Sequence, residues 1–438
     1  MSSRAYRPPP LRRDHARARH VPAPSDAAME AHLTAVLSPT TYALLAEYRR
    51  RGLRERILTL PVMTCFLLAL IWRQIPSVSV GVQVLARERL LWTPPLAVSQ
   101  QAVSERLRSL PASLFQELLQ TILPYLAARA TARQRPLPPV IARVQRHFPH
   151  IWALDATTLE PLLHKVGLLR DEPETVMGGK LAAVLDLAVR LPVAIWYDDD
   201  ATVNERSFLE RVKARLTPGT LLVLDKGFFG FALFDWCTTH GCSFVMPDRS
   251  TSAYRVEATL QERDGICDQV VQLGVYRSSK CRHPVRRVTV CIGGKPRVYL
   301  TNVLDPTQLS PLDVVDLYAR RWRMEDAFHL VKRQLGLAYV WTGAVNGIML
   351  QVWTTWLIYA VLIDLCDAIA DRLAIVPDRI STEMVFRGLY HYAGAVSRGE
   401  ASDPVAYLAA QSDLGVVKRR RKYRERQRLD ARRQLLNL

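Results

Sequence analysis

The sequence has no C-x-x-C pair, and its seven cysteines (Cys65, Cys237, Cys242, Cys267, Cys281, Cys291 and Cys366) are odd in number and scattered. That argues against a disulfide framework and for a reducing cytoplasm. Cys267, Cys281 and Cys291 with His283 fit no common zinc spacing. Nor is there an apolar run of the roughly 18 to 20 residues needed to cross a bilayer. "LPVMTCFLLALIW" (Leu60 to Trp72) and "VWTTWLIYAVLI" (Val352 to Ile363) are shorter and read as buried core helices. The start, "MSSRAYRPPPLRRDHARARH", lacks the apolar segment of a secretory leader and reads as a disordered, phosphate-seeking arm. Acidic residues are in deficit, 41 against 59 Lys and Arg, a formal charge of +18. Such a surface attracts a polyanion. The basic residues are spread over every segment, not along one amphipathic helix, so nucleic acid is favoured over a membrane.

What is present is a chain of 438 residues with 49% hydrophobic content, enough for two or three cores at roughly 150 residues each. Residues 31–132 read as helical, punctuated by Pro61, Pro76, Pro94, Pro95, Pro111 and Pro124. Within them Ser99 can cap a helix whose Val103 and Leu107 face inward while Gln100, Gln101, Ser104, Arg106 and Arg108 face out. Short polar and Arg side chains on an exposed helix suit groove reading, and they equally suit the surface of a bundle. Residues 133–150 form a Pro-rich linker. Beyond it "IWALDATTL", "KLAAVLDLAV" and "LPVAIWYDD" are strands in a meander, "NERSFLERVKARL" is an amphipathic helix, and "TLLVLDKGFFG" is a strand ending in a turn. Residues 249–303 carry hairpin signals and read as an all-β insertion, 304–342 return to the mixed pattern, 343–416 are helical, and 417–438 form a basic tail.

Three carboxylates stand out. Asp155 interrupts an apolar strand, and Asp225 ends another; a buried acid is costly unless something pairs with it. The third lies in "LYARRWRMEDAFHLVKRQLGL". At about 100° per residue, Tyr318, Arg321, Glu325 and Lys332 share a stripe roughly 60° wide. Leu317, Met324, Phe328, Val331 and Leu335 form the apolar face beside it. Glu325 therefore belongs at the core margin near the strand ends, and Asp326 projects about 100° away into solvent. The bland alternative is a surface helix with i,i+4 pairs such as Arg321 with Glu325. Asp186 and the run Asp198, Asp199 and Asp200 are competing acids near strand ends, best read as a solvated turn cluster. Glu325 with His329 lacks the second histidine that a zinc hydrolase needs.

Asp155, Asp225 in "DKGFF", and Y-x-x-R-x-x-x-E-x-x-x-x-x-x-K at Tyr318, Arg321, Glu325 and Lys332 resemble the bacterial DDE transposases of the insertion-sequence 4 family. The resemblance implies an α/β fold: a ribonuclease-H-like mixed sheet with helices on both faces, interrupted by an all-β insertion, with helical N- and C-terminal parts. Residues 151–248 and 304–342 would form the catalytic domain, and 31–132 would bind the element ends. It implies that Asp155, Asp225 and Glu325 are catalytic and hold two Mg²⁺ ions, with Mn²⁺ able to substitute. Tyr318, Arg321 and Lys332 would hold phosphates beside the cut. Double-stranded DNA, as terminal inverted repeats and target, would be the partner of a homodimer in a synaptic complex, with no membrane involved. The setting would be the bacterial cytoplasm at the nucleoid. Some members of this family pass through a DNA hairpin and stack a flipped base on an aromatic residue of the β insertion. Here "GGKPRVYLTNV" has no Trp there, and Arg297 or Tyr299 stand as substitutes. The rival readings are a nuclease that cuts without joining and a catalytically silent DNA-binding descendant.

Overall fold

The computed structural model describes residues 26–53, 56–159, 179–249, 253–275, 280–337 and 341–417. Residues 1–25 of the expected arm and 418–438 of the expected tail lie outside them. Helices precede the first strand: α1 (Asp26–Ala43), α2 (Leu45–Arg50), α3 (Leu60–Trp72), α4 (Val78–Arg87), α5 (Gln100–Ser109), α6 (Ser113–Ala132) and α7 (Pro139–Val144). Their starts follow from local chemistry. Ser77 and Ser99 accept the N–H groups of Val80 and Ala102 as N-caps, and α3 and α7 have Pro in the first turn, where no N–H is needed. Two expectations change here. Pro124 does not break a helix but lies inside α6, because the buried face of α6 continues past it. The linker is not structureless, since α7 buries Val140, Ile141 and Val144.

Alternating residues then build a sheet. β1 (His150–Thr158), β2 (Lys180–Asp186) and β3 (Pro192–Asp198) form an antiparallel meander; helix α8 (Leu209–Lys213) follows. β4 (Thr220–Leu224) lies parallel to β1. After α9 (Phe231–Thr239), β5 (Ser243–Pro247) lies parallel to β4. β6 (Tyr254–Arg263), β7 (Ile266–Leu273), β8 (Val285–Ile292) and β9 (Lys295–Thr301) form the hairpins expected for the insertion. They do not form a separate body. β9 pairs with β5, Val245 opposite Thr301, so all nine strands make one sheet in the order β3-β2-β1-β4-β5-β9-β8-β7-β6.

Each central strand has two buried faces. Ile151, Ala153, Leu221 and Val223 pack on one side. Trp152, Leu154, Leu222 and Leu224 pack on the other, with Phe228, Leu233 and Phe234 of the α9 region. The first side is covered by α10 (Pro311–Arg320), α11 (Trp322–His329) and α12 (Val345–Arg372), followed by α13 (Thr382–Ser397), α14 (Pro404–Ala410) and α15 (Ser412–Gly415). α12 is long and apolar enough to cross a membrane, but 94% of its most apolar window is buried in this fold, so the core-helix expectation holds for a helix longer than the run suggested. Its two buried acids pair with arginines from the end of α6 and just beyond: Asp364 with Arg129 and Arg133 at 3.2 and 2.7 Å, and Asp367 with Arg133 at 2.9 Å and with Arg135. Paired in this way, buried charge fixes the register of α6 on α12.

Residues 317–337 depart from the single regular helix expected. α10 ends at Arg320, α11 starts at Trp322, and residues 330–334 widen into a π-helical turn. Ser310 caps α10 by accepting the Asp313 N–H, and Pro311 opens it. The apolar stripe behaves as expected, for Leu317, Met324, Phe328, Val331 and Leu335 are all buried.

Candidate active site

The parallel register of β1 and β4 pairs Leu154 with Leu224, so the next residue on each strand is an acid: Asp155 beside Asp225. The two leucines face α9, and strand alternation turns both acids toward α10 and α11. Asp155 Oδ1 accepts the Ala156 N–H at 2.9 Å, and the Tyr318 hydroxyl donates to Asp225 Oδ1 at 3.2 Å. Burial pushes the Asp155 carboxyl up to about 6 against the pull of Arg321 and the Ala156 N–H, and the negative charges of Asp225 and Glu205 add to the rise.

Arg321 sits at the joint between α10 and α11. Its guanidinium spans two acids, reaching Asp155 Oδ2 at 2.8 Å and Glu325 Oε1 at 2.9 Å, and lies 5.6 Å from the centre of the Tyr318 ring. The i,i+4 pair of Arg321 with Glu325, named above as the bland alternative, is thus present, but not on a solvated face: Arg321 is 8% exposed. Burial, with the charges of Arg321 and Asp225 acting in opposite senses, pushes the Tyr318 hydroxyl up to about 12, so it stays a donor. The Tyr318 ring packs 5.1 Å from buried Tyr299 of β9. Lys332, carried by the π-helical turn, donates to Thr157 Oγ1 at 3.0 Å and to the Thr158 carbonyl at 2.7 Å, at the end of β1. Asp326 is exposed as expected, although it pairs with Arg323 at 2.9 Å.

The joint is clamped from behind. Asp378, in a 3₁₀ turn after α12, binds Arg320 at 2.5 Å and Arg323 at 3.3 Å, the neighbours of Arg321 on either side. Burial alone would raise its carboxyl, but Arg320, Arg323 and Arg190 outweigh that and hold it well below the usual range. A depressed carboxyl stabilises the fold above its ordinary pKa and loses that contribution as the pH falls below about 4. Asp378→Asn is therefore expected to destabilise the protein by about 2 kcal/mol at pH 7, with the gap to wild type closing in urea melts run toward pH 3. Sequence reasoning passed over Asp378 because a single acid after Val376 and Pro377 carries no periodic signal.

The other expected site residues lie apart from this centre. On α5, Gln100, Gln101 and Arg108 are exposed and Ser104 is half-buried. Arg106 is corrected: it turns inward, donates to the Leu58 carbonyl at 3.1 Å and to the Tyr48 hydroxyl, and braces α5 instead of facing solvent. Arg297 is exposed near the start of β9, two residues before Tyr299. Asp186 accepts the N–H groups of Ala188 and Val189, and Asp200 accepts the N–H and the hydroxyl of Thr202. Both acids form turns, as expected, but Asp186 is not solvated: it is half-buried, and burial pushes its carboxyl up.

Asp155, Asp225 and Glu325 offer only carboxylate oxygens, the donors a hard divalent cation takes, and Asp155 carries buried negative charge that a cation would relieve. In chemistry the set fits such an ion. Among the described residues, no three Asp, Glu, His or Cys side chains already stand close enough to share one, and Arg321 occupies the link between Asp155 and Glu325.

Residues 147–360 match the family model of the transposase DDE domain. Over that span the chain is similar to transposase DDE domains. The matched span contains Asp155, Asp225, Tyr318, Arg321, Glu325 and Lys332, and it ends within α12. The curated protein y4zB of Sinorhizobium fredii (strain NBRC 101917 / NGR234), named as a transposase candidate, is 26% identical over 201 residues. That alignment takes in 44% of this chain and 54% of y4zB, so the chain spans about half the length of this relative. Among solved structures, a piggyBac transposase synaptic complex with hairpin DNA aligns at 10% identity with a TM-score of 0.39, over 90% of this chain and 84% of that one. The sheet that carries Asp155 and leads into Asp225 also includes the hairpins β6 to β9, and both the N- and C-terminal helices pack against it.

Proposed function

We propose that the protein is a DNA transposase that hydrolyses phosphodiesters at the ends of its own element and joins the freed strands to target DNA. The observation that carries this reading is the placement of Asp155 and Asp225 side by side at the ends of adjacent parallel strands, with Glu325 linked to Asp155 through Arg321. The strand order β3-β2-β1-β4-β5, antiparallel then parallel, supports a ribonuclease-H-like core, and the Tyr318/Arg321/Glu325/Lys332 spacing supports the resemblance to the insertion-sequence 4 family. Asp155, Asp225 and Glu325 would hold two Mg²⁺ or Mn²⁺ ions, which supply an activated water or 3′-hydroxyl and charge relief for the departing oxygen.

The chain's own residues have separable tasks. Tyr318 fixes the Asp225 carboxylate by donating to one oxygen and leaving the other open. Arg321 presents a planar fork that suits a DNA phosphate as well as a carboxylate, so a phosphate entering the site can take over its N–H groups and release Asp155 and Glu325. Lys332 places a point charge at the end of β1. The exposed α5 residues Gln100, Gln101 and Arg108 are the candidates for contact with terminal repeats, and a synaptic homodimer is the assembly in which two ends would be cut. The test uses purified full-length protein, Mg²⁺, and donor DNA carrying the repeats that flank its gene, comparing wild type with Glu325→Gln. Cleavage followed by joining, lost in Glu325→Gln with end binding kept, is the expected result. Cleavage without joining would favour a nuclease, and end binding without chemistry in the wild type would sink both enzymatic readings.

A further inference from the structure

Glu205 opens a short 3₁₀ turn, Glu205–Phe208, between β3 and α8. The backbone around it is pinned at three points. Lys180 donates to the Val203 carbonyl at 2.8 Å, Asn204 Oδ1 accepts the Arg206 N–H at 3.0 Å, and the Arg206 guanidinium donates to the carbonyls of Gly227, at 3.3 Å, and Phe229. These bonds seat the turn directly against the residues that follow Asp225. The side chain between the anchors, Glu205, faces Gly227. A β-carbon at position 227 would stand 2.5 Å from Glu205 Oε2 and 3.7 Å from its Cδ, and those are its only near neighbours. Gly227 does not have a positive φ, so no turn geometry requires glycine there. The missing side chain makes room for one thing, a carboxylate two residues from Asp225.

That carboxylate has little else to do. Among the described residues the cation paired with it is Lys180, 3.9 Å away, which already bonds the Val203 carbonyl. Its charge reaches Asp155. On the other side of the centre, Glu325 is held by Arg321, and each Asp155 oxygen already accepts a hydrogen bond, from Ala156 or from Arg321. Glu205 offers carboxylate oxygens, the donors a hard divalent cation takes, on a side chain that Arg321 does not bridge. We infer that Glu205 is a fourth carboxylate of this active site, supplying oxygen to the divalent cation held by Asp155 and Asp225. The inference rests on the metal-dependent reading above. Sequence reasoning missed Glu205 because "NERSFLERVKARL" presents it as one more acid on an amphipathic helix.

The test is a Mn²⁺ titration of the full-length protein, with free Mn²⁺ read by electron paramagnetic resonance. Glu205→Gln, nearly isosteric, is expected to weaken at least one Mn²⁺ site by about tenfold or more. Gly227→Ala should do the same by displacing the carboxylate, yet change affinity by less than about twofold when built on Glu205→Ala, where nothing is left to displace. Wild-type Mn²⁺ affinity in Glu205→Gln, or a Gly227→Ala effect that persists without Glu205, would overturn the inference. Asp155→Asn separates the two levels. If it weakens Mn²⁺ while Glu205→Gln does not, only the role of Glu205 falls; if neither does, the metal reading of the whole site falls with it.

Discussion

Asp155→Asn is expected to abolish strand cleavage while making the metal-free protein more stable. The two effects have one cause. Asp155 sits in an apolar strand where burial pushes its carboxyl from 3.8 up to about 6, with Asp225 and Glu205 adding to the rise. A carboxyl with a higher pKa folded than unfolded binds its proton more readily in the native state. Stability is therefore lost as the pH rises from about 4 to about 6 and does not return at higher pH. Asn makes no such demand. In EDTA at pH 8 the variant should exceed wild type by about 2 kcal/mol, a rise of several degrees in melting temperature, and the gain should vanish near pH 4. With Mg²⁺ and donor DNA, cleavage should fall by on the order of 10³-fold, because the amide cannot supply the same anionic oxygen to a cation. A variant less stable than wild type at pH 8 would show that the Arg321 pair outweighs desolvation. Retained cleavage would remove Asp155 from the chemistry.

The largest expected loss of stability lies outside the centre, at Asp268. Arg286 of β8 is completely buried and binds Asp268 of β7 through two parallel bonds of 2.7 and 2.6 Å; its remaining nitrogen donates to the carbonyls of Leu309 at 2.6 Å and Val303 at 3.3 Å. Leu309 immediately precedes Ser310, the cap of α10. The pair thus ties the β insertion to the start of the helix that carries Tyr318. Asp268→Ala strands a guanidinium in the core and should cost about 3 to 5 kcal/mol, whereas removing both charges with apolar residues of similar volume should restore most of it. Urea unfolding of the single and double variants checks this. A single-variant loss under about 1 kcal/mol would mean that water reaches Arg286. The partly folded single variant should also cleave poorly, since α10 sets the position of Tyr318 and of the joint at Arg321.

Much of the architecture was legible because its signals are local. The period-two apolar pattern marks β1 to β5, Ser caps and first-turn prolines mark the helices, and the hairpin signals mark β6 to β9. Where several elements had to be weighed together, the reading failed. Pro124 reads as a break, but packing on α12 carries the helix through it. Hairpin signals mark an all-β insertion but not its partner, and β9 pairs with β5 to join the insertion to the main sheet. Arg106 was placed in solvent by helical periodicity, but Tyr48 and the Leu58 carbonyl, from other parts of the chain, draw it in.

The sequence by itself determined which residues could do chemistry. Two acids at the ends of apolar strands, and a third in register with Tyr, Arg and Lys, are a pattern of residue types at fixed spacing, and spacing is a property of the chain. Only the tertiary structure decided how those groups meet. The helix carrying Glu325 has a joint at Arg321 and widens at Lys332, and its polar stripe meets the sheet through bonds that helical spacing does not show: Tyr318 to Asp225, Arg321 to Asp155, and Lys332 to Thr157. Arg321 swings in to join Asp155 to Glu325 because a half-buried carboxylate beside a second acid demands a cation. Asp378 and Glu205 enter from distant segments that no local period connects to the site. Electrostatic pairing across the fold acts through space and not along the chain, and it places the charges around Asp155.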